Sequence, residues 1–367
     1  MFMNKKVSAF HLSACRLLAL GILPMFFSAC NKIGDYFPGN HHHGQQELGS
    51  LKQFNLVANN VKYHASRVDP NLLNAWGLAF GGNGAAWISA QGAGLSTIYD
   101  REGRELLPAV NILTPGLATG VVNNASDKDF LLSNGKAAKF IFVGVDGLIT
   151  GWNSGSGGTT TLIKNNISRA VYTGAALAND KGQNFLYAAN GLAETIDVFD
   201  PEFNIDTTKL FKDPKLPAGY LPFNIHLVGD KLFVTYTKVA SNGLALKEVG
   251  NGVVNIFSTS GVLLARFADG GKLNAPWGVA VAPASFFPGK DAQDVLLIGN
   301  FGDGKINAYA PDGKFISQLK VNNKVAVIDG LWEITFPPVT TDIDRNRLYF
   351  TAGPNNEKDG LFGYLSK

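Results

Sequence analysis

One cassette of sequence recurs six times along this chain of 367 residues. Each copy begins with a short apolar run that contains Gly, Trp or Asn. A strand that ends in small residues follows, and after a turn comes another strand that ends in an aromatic residue. The openings are NAWGLAF, ATGVVNN, YTGAALA, LPFNIHL, APWGVAV and GLWEITF. The equivalent points, spaced 43, 54, 50, 54 and 55 residues apart, are Gly77, Gly120, Gly174, Asn224, Gly278 and Glu333. A period of this length is typical of propeller blades.

Strand signals continue through the second half of every cassette. Alternating β-branched and aromatic residues lie between turns of Gly, Asn, Asp and Pro, as in KFIFVGVDGLITGWN and DVLLIGNFGDGKINAYAPDG. Long amphipathic helical patterns are absent from the sequence, which argues against a βαβ architecture. With 46% hydrophobic and 17% charged residues and 42 glycines, the chain suits short buried strands joined by many turns. The sequence therefore predicts an all-β fold, a six-bladed β-propeller.

The two ends of the chain are expected to meet in the last blade. The sixth cassette ends at Ser366 and has room for three strands only. Residues 54–57 (FNLV) precede the first cassette and form a candidate fourth strand. Such a pairing would remove the exposed sheet edges. Residues 51–367 are thus predicted to be one propeller domain, closed by an N-terminal strand added to the last blade.

The N-terminus has the pattern of an export signal. Lys5, Lys6 and Arg16 precede the apolar stretch 17–27, which leads to Ser28-Ala29-Cys30. Small residues before a cysteine resemble a bacterial lipoprotein signal, so residues 1–29 are predicted to be removed and Cys30 to be lipidated. Residues 30–50 would then be a flexible tether that holds the domain at a membrane. An ordinary secretory signal with an incidental cysteine is the alternative.

This interpretation sets the expected location, charge and cysteine chemistry. The protein would be exported and lipid-anchored to a bacterial cell envelope, on the periplasmic or surface face of the outer membrane. Loss of residues 1–29, with two Lys, one Arg and no acid, changes the formal charge from +3 to 0, which removes any argument for nucleic-acid binding. No free thiol would remain. The run His41-His42-His43 lies on the predicted tether, where a metal site would lack fixed geometry.

Candidate binding residues gather at one mouth of the central channel, where first strands begin and second strands end. Amides dominate this face, and aromatic side chains could line it. The predicted ligand-binding residues are Asn74, Asn190, Asn224, Tyr236, Asn274, Asn300, Asp329, Trp277 and Trp332. Competing interpretations stay open: the tryptophans at one repeat position as blade-packing residues, Asn190 and Asn300 as turn formers, and His226 as a hydrogen-bonded core residue.

Several motifs resemble one known family. DPNLLNAWGLAF, DPKLPAGYLPFNIHLVGDKLFVTY, NAPWGVAVAPASF and FTAGPNNEKDGLFGYL are similar to exported bacterial β-propellers, some of which carry PEP-CTERM sorting tails. This chain lacks such a tail and has the lipoprotein-like start instead. The rhythm of the repeats is more distantly similar to NHL-repeat and gluconolactonase-like propellers. The resemblance implies a propeller fold and export, and no site residues.

Three functions remain open. A binding or scaffold module for a small molecule, glycan or protein at the channel mouth is preferred, because no catalytic residue set is evident. A lactonase-like hydrolase is the second; it would require a metal such as Ca²⁺ at Asp329, Asn224 and Asn274, since oxygen ligands suit that ion. A structural or adhesion protein of the envelope is the third. No Ser/His/Asp set is readable, and no helix follows the glycine-rich stretches to cradle a phosphate.

Overall fold

The computed structural model describes residues 48–113, 117–287 and 294–367. The predicted signal, Cys30 and most of the tether lie outside these residues, so lipid attachment stays a prediction. Among the described residues, no helix is long and apolar enough to cross a membrane.

Strands account for nearly all the regular structure. In chain order they are β1 (Ser50–Ala58), β2 (Arg67–Val68), β3 (Ala75–Phe80), β4 (Ala86–Ala90), β5 (Leu95–Tyr99), β6 (Glu105–Asn111), β7 (Ala118–Asn123), β8 (Phe140–Gly144), β9 (Leu148–Trp152), β10 (Thr161–Asn165), β11 (Tyr172–Asp180), β12 (Gln183–Asn190), β13 (Thr195–Phe199), β14 (Tyr220–Val228), β15 (Lys231–Lys238), β16 (Val253–Ser258), β17 (Leu263–Asp269), β18 (Pro276–Ala282), β19 (Val295–Asn300), β20 (Ile306–Tyr309), β21 (Phe315–Gln318), β22 (Lys320–Val321), β23 (Lys324–Val325), β24 (Leu331–Thr335), β25 (Leu348–Ala352) and β26 (Leu361–Ser366). Short 3-10 turns occur at Val61–Tyr63 and Gln91–Ala93. The segment Pro354–Glu357 is helical by its hydrogen bonds, but Asn355 and Asn356 have left-handed φ values of 59° and 54°.

Consecutive strands build five sheets, and the chain ends build another. The five sheets are β3 to β6, β7 to β10, β11 to β13, β14 to β17 and β18 to β21, each antiparallel throughout. The terminal sheet has seven strands, ordered β23-β22-β1-β26-β25-β24, with β2 paired to β1. An all-β, propeller-like arrangement is thus confirmed. The prediction of six blades is wrong in this respect: the structure has five regular blades, and the sixth cassette joins the chain start in a seven-stranded composite sheet.

The pairing of the chain ends is confirmed. Strand β1 runs antiparallel to β26, with Phe54 opposite Tyr364 and Ala58 opposite Leu361. The rings of Phe54 and Tyr364 stack with their centroids 4.8 Å apart. Because every central strand of the terminal sheet then has two neighbours, the ring is held shut by backbone hydrogen bonds.

Glycines let the first strands of neighbouring sheets approach closely. A Cβ on Gly77 would lie 2.6 Å from the carbonyl oxygen of Thr119, and a Cβ on Gly278 would lie 2.8 Å from the backbone nitrogen of Ile334. Strands β3, β7, β11, β14, β18 and β24 pack side by side in a closed order, and β24 returns to β3. Large side chains fill the space between sheets farther out, as where Trp87 stacks on Phe140 at 4.1 Å. These first strands surround the central channel.

Candidate functional site

An aromatic cluster fills one end of the channel. Its members are Trp76, Phe223, Ala275, Trp277, Phe301 and Trp332, all of them buried. Trp332 lies between two parallel rings, with centroid distances of 3.5 Å to Trp76 and 3.8 Å to Phe301. Trp277 meets Trp76 and Trp332 edge to face. The tryptophans therefore contact one another across the ring at this end, as in the blade-packing alternative.

Hydrogen bonds fix the tryptophans in this cluster. The Trp277 indole N–H donates to the carbonyl of Thr173, on a strand two sheets away, at 3.0 Å. The Trp332 indole N–H donates to Asn74 Oδ1 at 3.1 Å. The indole nitrogen of Trp76 is buried and finds no partner among the described residues. Two of the three indoles are thus anchored to β11 and to the residue before β3.

Two of the predicted amides hydrogen-bond to backbone groups. Asn190 Oδ1 accepts from the N–H groups of Leu192 and Ala193 in its own turn, and from that of Val171 before β11. Asn300 Oδ1 accepts from the N–H of Asn274, and its Nδ2 donates to the carbonyl of Lys272, so it joins its turn to the segment before β18.

The remaining mouth residues occupy different surroundings. Asn74 Nδ2 donates to Gln91 Oε1 at 2.9 Å. Tyr236 is packed in the apolar core between two sheets, and burial raises the pKa of its phenol. Asn274 is buried, and its Oδ1 has no partner among the described residues. The mouth candidates thus do not line one open pocket together.

The residues proposed for a metal have separate partners. Asp329 is exposed and accepts a hydrogen bond from the N–H of Asn355 at 2.9 Å. Asn224 is buried, and its Oδ1 accepts from the N–H of Ile225. The described residues hold no group of three or more His, Cys, Asp or Glu side chains placed for a metal ion. Nothing in these contacts joins Asp329, Asn224 and Asn274 around one ion.

The six repeat-equivalent positions carry glycine in four sheets and a polar side chain in two. Neighbouring backbones leave no room for a side chain at the four glycines, since a Cβ on Gly120 would lie 2.9 Å from the nitrogen of Ala175. Asn224 on β14 and Glu333 on β24 are the exceptions. The Asn224 amide lies over Gly174, where an added Cβ would meet Asn224 Oδ1 at 1.8 Å. At this position of the repeat, polar side chains therefore extend into the channel from two strands, β14 and β24.

His226 joins this pair below the aromatic cluster. Its Nε2 lies 2.8 Å from Asn224 Nδ2 and 3.0 Å from the carbonyl oxygen of Trp277. Its Nδ1 lies 4.0 Å from Glu333 Oε1, which is too long for a direct hydrogen bond. Glu333 Oε1 also accepts from the N–H of Ile334 at 3.0 Å. We name Asn224, His226 and Glu333 the channel triad.

The tautomer of His226 decides which group Nδ1 presents. If Nε2 carries the proton, it donates to the Trp277 carbonyl, and Nδ1 is an acceptor. If Nε2 is unprotonated, it accepts a hydrogen bond from Asn224 Nδ2, and Nδ1 carries the proton. In both cases Nδ1 is the nitrogen that faces Glu333 across the gap.

Burial favours the neutral form of both titratable groups of the triad. It lowers the pKa of His226 to about 4 from the ordinary 6.5, while the hydrogen bond to the Trp277 carbonyl opposes this effect. It raises the pKa of Glu333 well above the ordinary 4.5, against a smaller opposite effect of the Ile334 N–H. The charged form is disfavoured in both cases because it loses hydration.

The two titratable side chains of the triad are not completely enclosed. His226 and Glu333 keep 15% and 10% of their side chains exposed. Along β11, the half-buried Ala175 and Leu177 pack against the apolar core between neighbouring sheets.

The sequence contained a signal for this site. Glu333 occupies the repeat position itself, and His226 has the hydrogen bonds that the core interpretation expects. Because the equivalent positions in four cassettes are glycine, an ionisable residue there departs from the scaffold. That departure, rather than the amide-rich mouth, points to the triad.

Comparison with known proteins gives relatives of viral origin. No family model matches the chain. Two proteins of Acanthamoeba polyphaga mimivirus, both described as uncharacterised, are 30% and 31% identical to it over 344 residues. Each alignment covers 88% of this chain, together with 82% and 88% of the relatives.

Solved structures agree with the fold. A streptogramin B lyase superposes with a TM-score of 0.50 at 15% identity, covering 86% of this chain and 97% of its own. A Bacteroides thetaiotaomicron protein of unknown function gives a TM-score of 0.52 at 10% identity, covering 81% and 70%. At such identities the likeness shows the fold alone.

These relatives overturn the family suggested by the motifs. The assignment to exported bacterial propellers with sorting tails is wrong, and with it the more distant assignment to NHL-repeat and gluconolactonase-like propellers, because the homologues are proteins of a virus. Short motifs at the openings of the cassettes reflect the repeat architecture and do not identify the family. The chain belongs to the same family as these two mimivirus proteins.

Proposed function

We propose that the protein is a binding propeller that holds a small, neutral, polar molecule in its central channel against the channel triad. The observation that carries this proposal is the gap of 4.0 Å between His226 Nδ1 and Glu333 Oε1. An oxygen atom beside the gap can lie about 2.8 Å from both atoms. A hydroxyl or carbonyl group of a ligand would complete the hydrogen bonds that the two side chains do not give each other.

The chemistry of the triad favours a neutral ligand. Burial raises the pKa of Glu333 and so favours its protonated form, which can donate to a carbonyl or hydroxyl oxygen. His226 Nδ1 can donate or accept according to its tautomer. A charged ligand would enter a region of low polarity without an opposite charge, which is costly. Sugars, lactones and amides have suitable groups.

We also propose that the composite terminal sheet serves as a sixth blade. Its strand β24 stands between β18 and β3 and supplies Glu333. With this strand, six first strands would surround the ligand.

A thermal-shift screen tests the proposal. Neutral lactones, sugars and amides are added to the wild type and to Asn224→Leu, which removes one polar group of the triad at similar volume. We expect at least one compound to raise the melting temperature of the wild type and to leave that of the variant unchanged.

Asp329→Asn is the matched control, because Asp329 is an exposed mouth residue that contacts the Asn355 N–H and no triad member. The shift should persist in this control. A shift lost in Asp329→Asn and kept in Asn224→Leu would move the site to the mouth and refute the proposal.

A further inference from the structure

A long loop unique to one blade lies over the aromatic cluster. Residues 239–252, fourteen in number, connect β15 to β16, whereas residues 145–147 suffice between β8 and β9. Within it, Ala240 donates to the carbonyl of Leu244, and Leu246 donates to that of Lys238. Ala245 packs against the cluster. The loop is therefore held over the ring centre by its own turn.

This loop places an ammonium group on the aromatic stack. Lys247 Nζ lies 4.0 Å from the centroid of the Phe301 ring. Phe301 stacks on Trp332, which stacks on Trp76. The order is thus ammonium, phenyl, indole, indole. A cation over a ring face is attracted by the negative potential of that face.

No carboxylate holds Lys247 in place. Among the described residues it forms no ion pair, and the neighbouring Glu248 accepts instead from Asn251 Nδ2 at 3.2 Å. Lys247 itself is exposed, while Phe301 beneath it is buried. Lys247 therefore covers the outer face of the Phe301 ring through the cation–π contact, and its exposed side chain can move away into water.

We propose that the outer face of Phe301 is a binding site for the ammonium group of a ligand, and that Lys247 occupies it in the unliganded protein. A quaternary or methylated ammonium is the class that fits best, because it is less strongly hydrated than a primary ammonium and leaves water at lower cost. The site is separate from the channel triad and does not depend on the function proposed for it.

Tetramethylammonium binding, followed by tryptophan fluorescence, tests this site. Trp332 lies directly under Phe301 and serves as the reporter. Lys247→Gln removes the internal competitor, so the apparent affinity should rise about fivefold over the wild type. Phe301→Leu should abolish binding, and Phe301→Trp should strengthen it because indole is the better cation partner.

Lys305→Gln is the control, since Lys305 lies in the turn that follows Phe301 but pairs with Asp303 at 3.2 Å. Its affinity should equal that of the wild type. Equal affinities of the wild type and Lys247→Gln, binding retained in Phe301→Leu, or no binding by Lys247→Gln and Phe301→Trp would each overturn the proposal. Circular dichroism melting of every variant establishes that it is folded.

Discussion

His226 should make the propeller sensitive to acid, and the His226→Gln variant should lack this sensitivity. The imidazole has a lowered pKa in the folded protein because it is buried, an effect that the hydrogen bond to the Trp277 carbonyl only partly opposes. The unfolded chain binds the proton at the ordinary pKa. Its contribution to stability is therefore complete above pH 6.5 and is lost as the pH falls towards 4.

The magnitude follows from the two pKa values. The interval from 6.5 to about 4, at about 1.4 kcal/mol for each pKa unit, amounts to about 3.5 kcal/mol of unfolding free energy. About 2.5 kcal/mol of it should be lost by pH 4.5. Gln keeps a donor and an acceptor in the site but does not titrate.

Urea unfolding at several pH values between 7.5 and 4.5 measures this effect. The difference in unfolding free energy between the wild type and His226→Gln should shift by about 2.5 kcal/mol in favour of the variant at the acid end. His64→Gln is the control, because His64 is exposed on a surface turn. Its stability should parallel that of the wild type.

The opposite slope would refute this account. If His226 and Glu333 formed an ion pair, the pKa of His226 would be raised, and the wild type would gain stability relative to His226→Gln as the pH fell. Parallel curves for the two proteins would show that the imidazole is hydrated.

Two further predictions concern the scaffold. Gly77→Ala should cost about 3 kcal/mol or more of unfolding free energy, because its Cβ would lie 2.6 Å from the backbone carbonyl oxygen of Thr119. Gly82→Ala, with nothing within 4 Å, should stay within about 0.5 kcal/mol of the wild type, and equal losses in urea unfolding would contradict the close approach of the strands. Asp359→Ala should cost about 3 kcal/mol, since its carboxylate accepts from Asn59, Asn60, Lys62, Tyr63 and Asn355 and ties the N-terminal segment to the terminal sheet. Asp230→Ala, at a side chain 80% exposed, is its control, and a melting temperature unchanged in both variants would argue against this lock.

The sequence predicts the scaffold because the scaffold is repetitive. Glycine at one position in four cassettes predicts that neighbouring strands approach closely there. The strand signal around Phe54 lies before the first cassette and so predicts a strand that must pair elsewhere. Both follow from local pattern and from the need to pair strand edges. The composite form of the last sheet escaped prediction because β22 and β23 have only two residues each, too few to give a period.

The candidate site is less visible in the sequence for a physical reason. Amide side chains are common in ligand sites, so the amides at the mouth suggest one in the sequence. In the structure, however, Asn190 Oδ1 already accepts from backbone N–H groups. His226 and Glu333 are 107 positions apart in sequence, and they meet only because β14 and β24 both pack against β18 in the ring of first strands. The position of Lys247 over Phe301 likewise depends on how one long loop folds back, which no periodicity encodes.

Titration calorimetry with the strongest compound from the screen tests the channel site most directly. Glu333→Leu removes the donor and should weaken binding at least tenfold, whereas Glu333→Gln keeps a neutral donor of similar shape and should bind within about threefold of the wild type. Equal binding by the wild type and Glu333→Leu would show that the ligand lies elsewhere and would contradict the account.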